Sequence, residues 1–423
     1  MPHIRPFRGV LYNPQKIENI AKVVTRPYDV ISPGEQKGYY ESHPYNIVRL
    51  ILGRRYPGDS GRNSQYTRAK SFFADWQKQG ILLRDKKEGI YIYSQTFTHK
   101  NRRRTCTGFF ALLKLEDFAD KGILPHEHTF SQPVEDRLKL LKATGANLSP
   151  IFALFSDPQG KVNNLLSRYK RDARPYIVLK RDKTLHKLWR MSEKRGILTL
   201  KELLKGGQIF IADGHHRYEA ALNYKRQMER KKKRPKRAAC FDYVMTCLVA
   251  TADPGLTILP THRVLSLKGD FKPEEIIGNL RRSFKVRRFY APGELFSYMD
   301  ESRPSHCVFG AYFGKNKFWG LKLDKSTGKG KMNVSQGLEV TILHTLIIEH
   351  ILNIGPFEES TYYTRDDREA VSLVDKGKYQ MAFFLRPATV TAVKRIARAG
   401  ERMPHKSTYF YPKLLTGLVI NKL

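Results

Sequence analysis

The sequence predicts an α/β to α+β protein, with mixed sheets and flanking helices. Three observations carry that expectation. Strand-like apolar runs alternate with segments of helical apolar spacing along the 423 residues. At Ile211 to Leu222, IADGHHRYEAAL, a β-like run enters a glycine turn and a helix pattern starts at once. Hydrophobic residues make up 41% and aromatics 11%, enough for sizeable cores, so wholesale disorder is excluded. At ~100–200 residues per domain the length suggests two or three domains. The patterning places an N-terminal α/β domain over 1–156, a middle region that contains the glycine turn over 157–270 and a C-terminal α+β region over 271–423.

In chain order, RPYDVISP around Asp29 carries turn signals, and SHPYNIVRLILG reads as a buried strand ending at Gly53. Tyr66 to Gln79 is an amphipathic helix with Phe72, Phe73 and Trp76 on one side. GIYIYSQTFTH alternates like a strand, and TGFFALLKLEDF, beyond the basic turn KNRRR, is its hairpin partner. A polar loop from Pro125 to Pro133 leads to a helix over Val134 to Thr144 and a strand over Pro150 to Phe155. LTLKELLKG is a helix ending at Gly206 or Gly207. A strand at Ile209 to Ala212 then precedes a helix from about His216 to Arg230. DYVMTCLVAT is a buried strand, followed by a Pro-Gly turn and a second short strand. The last third holds a helix (Pro273 to Phe284), strand pieces at VFGAYF and FWGLKL, and the apolar helix EVTILHTLIIEHIL. A strand in KYQMAFFLRPA and a helix in TVTAVKRIARAGE, capped by Thr389 or Thr391, follow before a packed hydrophobic tail.

Lys and Arg number 76 against 40 Asp and Glu, a net charge of +36 that favours polyanionic partners. Four cysteines are too few for a disulfide scaffold, and Cys240 and Cys247 lack zinc-site spacing. All four are expected to be packing thiols in a reducing compartment. MPHIRPFRGVLYNP has no apolar stretch of signal-peptide type. The most apolar run, ILHTLIIEHILNI, is shorter than the ~20 residues of a spanning helix and carries Glu349. The expected location is cytoplasmic, without a membrane partner.

The sharpest chemical constellation is the DGHHR turn. Gly214 lets the backbone turn tightly, and a helix start offers N–H groups and a positive dipole end to an anion. Asp213, Gly214, His215, His216 and Arg217 are therefore the candidate phosphate-binding residues, Arg217 through a bidentate fork. The alternative is that Asp213 is only a helix cap and the two His a polar surface. PHEHT places His126, Glu127 and His128 together, suited to a divalent metal or, at Glu127, to deprotonating a substrate hydroxyl. Asp136 and Arg137 at the next helix start can orient such a site or cap the helix. Asp29 and Arg26 lie in a tight loop, Asp29 as a turn former or a catalytic carboxylate. His262 and Arg263 end a strand-like run, where ligand groups of α/β folds gather. In the tail, KSTYFYPK combines Lys406, Ser407, Thr408 and Lys413 with aromatic rings. GxxxxGK[ST] and GxGxxG are absent. The basic run through Lys231 to Arg237 can grip a nucleic-acid backbone, but a solvated loop is the favoured reading.

DGHHRYEAA resembles the phosphate-binding turn of the ParB/sulfiredoxin superfamily, in which Gly precedes one or two variable residues and an Arg at a helix start. Sulfiredoxin has a Gly-Cys-His-Arg version, ParB a Gly-Glu-Arg-Arg version, and archaeal free serine kinases an Asp-Gly-His type. The resemblance implies a ParB/sulfiredoxin-like core around the turn. His215 stands where sulfiredoxin has its reactive Cys, so sulfinate repair is not implied. RPYDVIS, PYNIVRLIL, GILPHEHT, DRLKLLKATGANLSPIFAL, FIADGHHRYEAAL, GLTILPTHRVL and MPHKSTYFYPKLLTGLVI resemble an uncharacterised bacterial and archaeal family, domain of unknown function 1015. The blocks run from start to end of the chain, and the large basic excess departs from the family's pattern.

The expected function is a nucleotide-dependent phosphotransferase for a small hydroxylated metabolite, with ATP or ADP and Mg²⁺ as cofactors. The DGHHR turn would hold the phosphates, Glu127 or Asp29 would take the hydroxyl proton, and Lys406 or Arg137 would neutralise charge in flight. Arg26, His126, His128, His262, Arg263, Ser407 and Thr408 are the further substrate or phosphate contacts. Resemblance to the serine kinases names free serine as the first substrate. The alternatives are a ParB-like nucleic-acid-binding or nucleotide-sensing module, and a metal-dependent hydrolase at PHEHT.

Overall fold

The hairpin expected from the alternating runs on either side of KNRRR is the spine of the larger sheet. In the computed structural model, residues 3–231, 239–267, 272–303, 306–323, 337–355 and 360–423 are described. The chain divides into two units. The first comprises Met1–Pro125, Thr129–Thr257 and Pro412–Leu423, the second His126–His128 and Ile258–Tyr411. The divisions expected at 156 and 270 do not coincide with these units, because strands on both sides of residue 156 pair in one sheet, with Leu248 opposite Ala153.

Among the described residues the first unit has a nine-stranded sheet. Its strands are β1 (Ile4–Arg5), β2 (Ile90–His99), β3 (Arg102–Lys114), β4 (Ile123–Leu124), β5 (Ile151–Phe155), β6 (Ile177–Arg181), β7 (Thr184–Met191), β8 (Ile209–Asp213) and β9 (Tyr243–Ala250). They lie in the order β4-β8-β5-β9-β3-β2-β7-β6, with β1 beside β3. The sheet is mixed: β9 runs antiparallel to β3 and parallel to β5. Its helices are α1 (Pro33–Ser42), α2 (Gln65–Lys78), α3 (Ser131–Thr144), α4 (Lys161–Asp172), α5 (Lys194–Leu204) and α6 (His215–Lys231). Leu166 of α4, Leu200 of α5, and Tyr218 and Leu222 of α6 pack with Phe109, Ile151 and Ile211 of the sheet in one core.

Two sequence expectations change here. The run around Leu50 is a short helix, Val48–Ile51, and not a strand. Asn46 Oδ1 accepts the Val48 N–H at 2.9 Å and so starts the turn, and Leu50 and Ile51 pack with Phe73 and Trp76 of α2. The hairpin β6–β7 is unannounced in the sequence, because its turn residues, Asp182 and Lys183, adopt left-handed backbone (φ 47° and 59°) without glycine. The hydrophobic tail does return to the first unit: Ile420 pairs with Val10, and Leu418 and Val419 are buried.

The second unit has a six-stranded sheet among the described residues, with every neighbouring pair antiparallel. Its strands are β10 (His262–Leu265), β11 (Phe284–Phe289), β12 (Val308–Tyr312), β13 (Phe318–Leu323), β14 (Thr361–Thr364) and β15 (Met381–Phe384), in the order β11-β13-β12-β15-β10-β14. Alternation sends Phe309, Ala311 and Phe383 to one face, against α7 (Pro273–Leu280) and α10 (Val390–Ala399). Val308, Tyr312, Ala382 and Phe384 face α8 (Pro292–Glu301) and α9 (Asp367–Asp375) on the other. The helix expected over Pro273 to Phe284 ends at Leu280, and Phe284 opens β11. EVTILHTLIIEHIL is helical, but its later part, Leu343–Ile351, is a π-helix. The fold is therefore mixed α/β, with several sheets and flanking helices.

Cys106 and Cys247 are buried, as expected of packing thiols, but Cys240 is exposed and Cys307 half-buried. No helix among the described residues is long and apolar enough to cross a membrane.

Candidate functional site

Strand β8 ends at Asp213, Gly214 turns, and the 17-residue α6 begins at His215. Gly214 has φ +92°, the left-handed region that favours glycine, and a Cβ there would lie 2.9 Å from Arg217 Cζ and displace its guanidinium. The Tyr218 N–H donates to the Gly214 carbonyl at 2.9 Å and closes the first helical turn. One turn on, Arg217 reaches back: its Nη2 donates to Asp213 Oδ1 at 3.3 Å, and its Nη1 donates to the Pro150 carbonyl. From the chain's tail, Lys413 Nζ donates to Asp213 Oδ2 at 2.6 Å. One carboxylate therefore gathers two cations, and all three side chains are 15% exposed or less. Low exposure keeps these charges from being screened. Arg217, Lys413 and Asp213 together leave an excess of positive charge beside a helix N-terminus.

The RPYDV loop faces this turn. Asp29 keeps solvent access, yet it lies in electrostatic range of Asp213, Arg217 and Lys413. The two carboxylates shift in opposite directions. For Asp213, burial favours the neutral acid, but Lys413 and Arg217 outweigh it and hold the carboxyl well below the usual range. For Asp29, desolvation by the protein packed around the carboxyl, although the residue keeps an exposed edge, and then the charge of Asp213 raise the pKa, with Arg217 and Lys413 opposing. Environments that push two carboxylates apart are those that divide charge-holding from proton-accepting roles. Beside Asp29, burial pushes the Tyr28 phenol up to about 12, and its ring lies 3.9 Å from Arg137 Cζ.

The other residues singled out in this unit have structural employment. Arg137 is buried. Its Nε donates to Asp136 Oδ2 at 2.7 Å and its Nη1 to the Ile51 carbonyl at 2.8 Å, which ties α3 to the Val48–Ile51 turn. Arg26 pairs with Glu35, whose Oε2 accepts the Ser32 N–H at 2.8 Å in the capping box of α1. His215 is buried, and His216 Nε2 accepts the Phe130 N–H at 3.1 Å. Glu219 accepts the Thr129 hydroxyl, so the first turns of α6 fasten the 129–130 loop.

The remaining candidates fall in the second unit. His126 is buried, and its Nε2 lies 3.0 Å from Thr408 Oγ1. Glu127 Oε1 lies 2.8 Å from His405 Nδ1, and His128 is exposed. The three PHEHT side chains thus do not converge on one site. Among the described residues, no group of three or more His, Cys, Asp or Glu gathers as metal ligands. His262 is buried, with Nε2 2.7 Å from Asp367 Oδ1 and Nδ1 accepting the Leu385 N–H at 3.3 Å. Arg263 is 1% exposed and donates through Nε to His344 Nε2 at 3.1 Å. Lys406 Nζ lies 4.5 Å from the centre of the Tyr363 ring, and the Ser407 hydroxyl donates to the Pro404 carbonyl. The structure thus brings Asp29 to the DGHHR turn within one unit, and places Glu127, Lys406, Ser407 and Thr408 in the other. Sequence reasoning missed Lys413 as a member of the turn. The only signal was a lysine in a tail rich in phosphate-compatible residues, 200 positions from Asp213. The basic run from Lys232 to Arg237 lies outside the described residues.

No curated protein sequence matches the chain. Among solved structures, it is similar to a free serine kinase in complex with AMP, at 14% identity and TM-score 0.35 over 72% of this chain and 86% of that one. A conserved hypothetical protein from Pyrococcus furiosus is similar at 15% identity and TM-score 0.32 over 73% and 92%. SbnI from Staphylococcus aureus, truncated at its C-terminus, is similar at 12% identity and TM-score 0.35 over 73% and 85%. The profile of the family described as protein of unknown function, DUF1015, matches residues 4–343, and the chain belongs to that family.

Proposed function

We propose that the protein is a nucleotide-dependent phosphotransferase of a small hydroxylated metabolite. The observation that supports this most is the convergence of Arg217 and Lys413 on Asp213 at the N-terminal end of α6. Two cations held in place beside a helix start suit the phosphate oxygens of ATP or ADP, because their orientation is fixed before the ligand arrives. Asp213 fixes that orientation by remaining ionised. Asp29, held at a raised pKa, is the proton acceptor for the substrate hydroxyl. In the step, the hydroxyl oxygen attacks the terminal phosphorus, the bond to the nucleotide breaks, and the hydroxyl proton passes to Asp29. Mg²⁺ would arrive with the nucleotide and neutralise its phosphates. The Asp-Gly-His turn, by its resemblance to free serine kinases, makes serine the first substrate to try, and the expected setting is cytoplasmic.

The test is calorimetric titration of the chain with ATP and ADP in the presence of Mg²⁺. Saturable binding is expected, weakened at least tenfold by Arg217→Ala, which corresponds to ~1.4 kcal/mol. Nucleotide that binds the variant as tightly as the wild type would remove the phosphates from this turn. If binding holds, serine with ATP or ADP should yield phosphoserine, and Asp29→Asn should abolish the yield while leaving nucleotide affinity within a fewfold of wild type.

A further inference from the structure

The second unit contains a buried guanidinium that no carboxylate among the described residues neutralises. Arg263 Nε donates to His344 Nε2, Nη1 to the Thr261 carbonyl, and Nη2 to the Lys406 carbonyl at 3.4 Å, all neutral acceptors. Its charge also lies 5.3 Å from the centre of the Tyr363 ring, which Lys406 Nζ approaches as well. A cation taken out of water without an opposite charge is costly, and hydrogen bonds to neutral groups recover only part of that cost. Burial lowers the Arg263 pKa only to about 10, so the charge persists at neutral pH.

Arg263 lines a cleft of about 900 Å³ in the same unit. Leu338, Val340, Ala388 and Ala392 give the cleft an apolar wall, and Ser407 and Thr261 lie with Arg263 on its polar side. Of the other guanidiniums that line the cleft, Arg386 is already spent, its Nε donating to Glu339 Oε1 at 2.9 Å, and Arg303 and Arg395 are exposed to solvent, which screens them. Asp300 and Glu301 also line the cleft, but both are exposed and face bulk solvent, which screens them.

We propose that this cleft is a binding site for an organic anion, with one oxyanion head group on Arg263 and an apolar body against Leu338, Val340 and Ala392. A carboxylate and a phosphate ester share that chemistry. The volume suits a metabolite-sized ligand. The inference is independent of the nucleotide reading of the Asp213 turn, since it draws on different residues and its probes carry no nucleotide.

The test is calorimetric titration of the full chain, in a phosphate-free buffer, with sodium benzoate, phenyl phosphate and benzyl alcohol. At least one of the two anions is expected to bind saturably, with the neutral alcohol at least tenfold weaker. Which anion binds tighter identifies the head group. Arg263→Met should weaken the anion at least tenfold. Ala392→Trp leaves the guanidinium in place and fills the cleft, and should do the same, so it decides the matter if Arg263→Met does not fold. Absence of saturable anion binding, equal affinity for benzyl alcohol, or unchanged affinity in Ala392→Trp would overturn the proposal.

Discussion

Single side chains in this protein are governed by what burial does to charge. Asp213 stays ionised because two cations reach it, Asp29 is pushed toward neutrality, and Arg263 keeps its charge in the interior on neutral acceptors. His186 shows the same balance resolved the other way. It is buried between strands, its Nδ1 lies 2.6 Å from the Tyr93 hydroxyl, and burial lowers its pKa from 6.5 to about 4. The unfolded chain therefore takes up a proton at this position before the folded chain does. Its contribution to stability is complete above pH 6.5 and falls as the pH drops from 6.5 toward 4, by up to ~1.4 kcal/mol per pH unit. His344, lowered to about 3, falls in the same direction. Denaturation of His186→Gln across this window should show a shallower acid slope than wild type. An identical slope would mean that His186 is not the buried neutral group.

At the scale of elements, caps and turns decide where the chain changes direction. Both expected caps for the last helix are threonines, and Thr389 is the one used: its Oγ1 accepts the Ala392 N–H at 3.1 Å. Thr389→Ala should cost ~1 kcal/mol in chemical denaturation, and Thr389→Ser should recover most of it, because the hydroxyl is what caps the helix. A loss that serine does not restore would point to the methyl group instead. The same logic separates the readable hairpins from the hidden one. Residues 90–114 alternate over long strands, so their pairing is legible. The hairpin at 177–191 turns on Asp182 and Lys183, which sequence does not mark as a turn. The strand expected in SHPYNIVRLILG, ending at Gly53, fails for a related reason: a short, mostly apolar run fits a buried strand or a buried helical turn equally well, and Asn46 decides for the helix at Val48–Ile51.

For the whole molecule, the net charge of +36 is a long-range property that no single site explains. Charge of that size should draw nucleic acid without reading it. Two duplexes of unrelated sequence are expected to elute from the immobilised protein at the same salt concentration. Deleting Lys231–Arg237 should reduce the dependence of log K on log salt, by ~0.9 for each phosphate that is no longer neutralised. Retention that differs tenfold between the duplexes would instead indicate sequence readout and revive the nucleic-acid-binding alternative.

By itself the sequence determined the mixed α/β class, the central hairpin, the strand–glycine–helix turn at Asp213 and Arg217 as one cation beside it. These are local properties, written in the spacing of apolar residues and in the one residue type that tolerates φ +92° at position 214. Tertiary structure alone decided which cation arrives. Lys413 reaches Asp213 because the tail returns to the first unit, where Ile420 pairs with Val10. It likewise decided that Arg137 and Arg26 are spent on Asp136 and Glu35, and that Arg263 has no carboxylate against it among the described residues. Whether a charged side chain is spent or available depends on neighbours brought from elsewhere in the chain, and spacing along one sequence does not encode that distance.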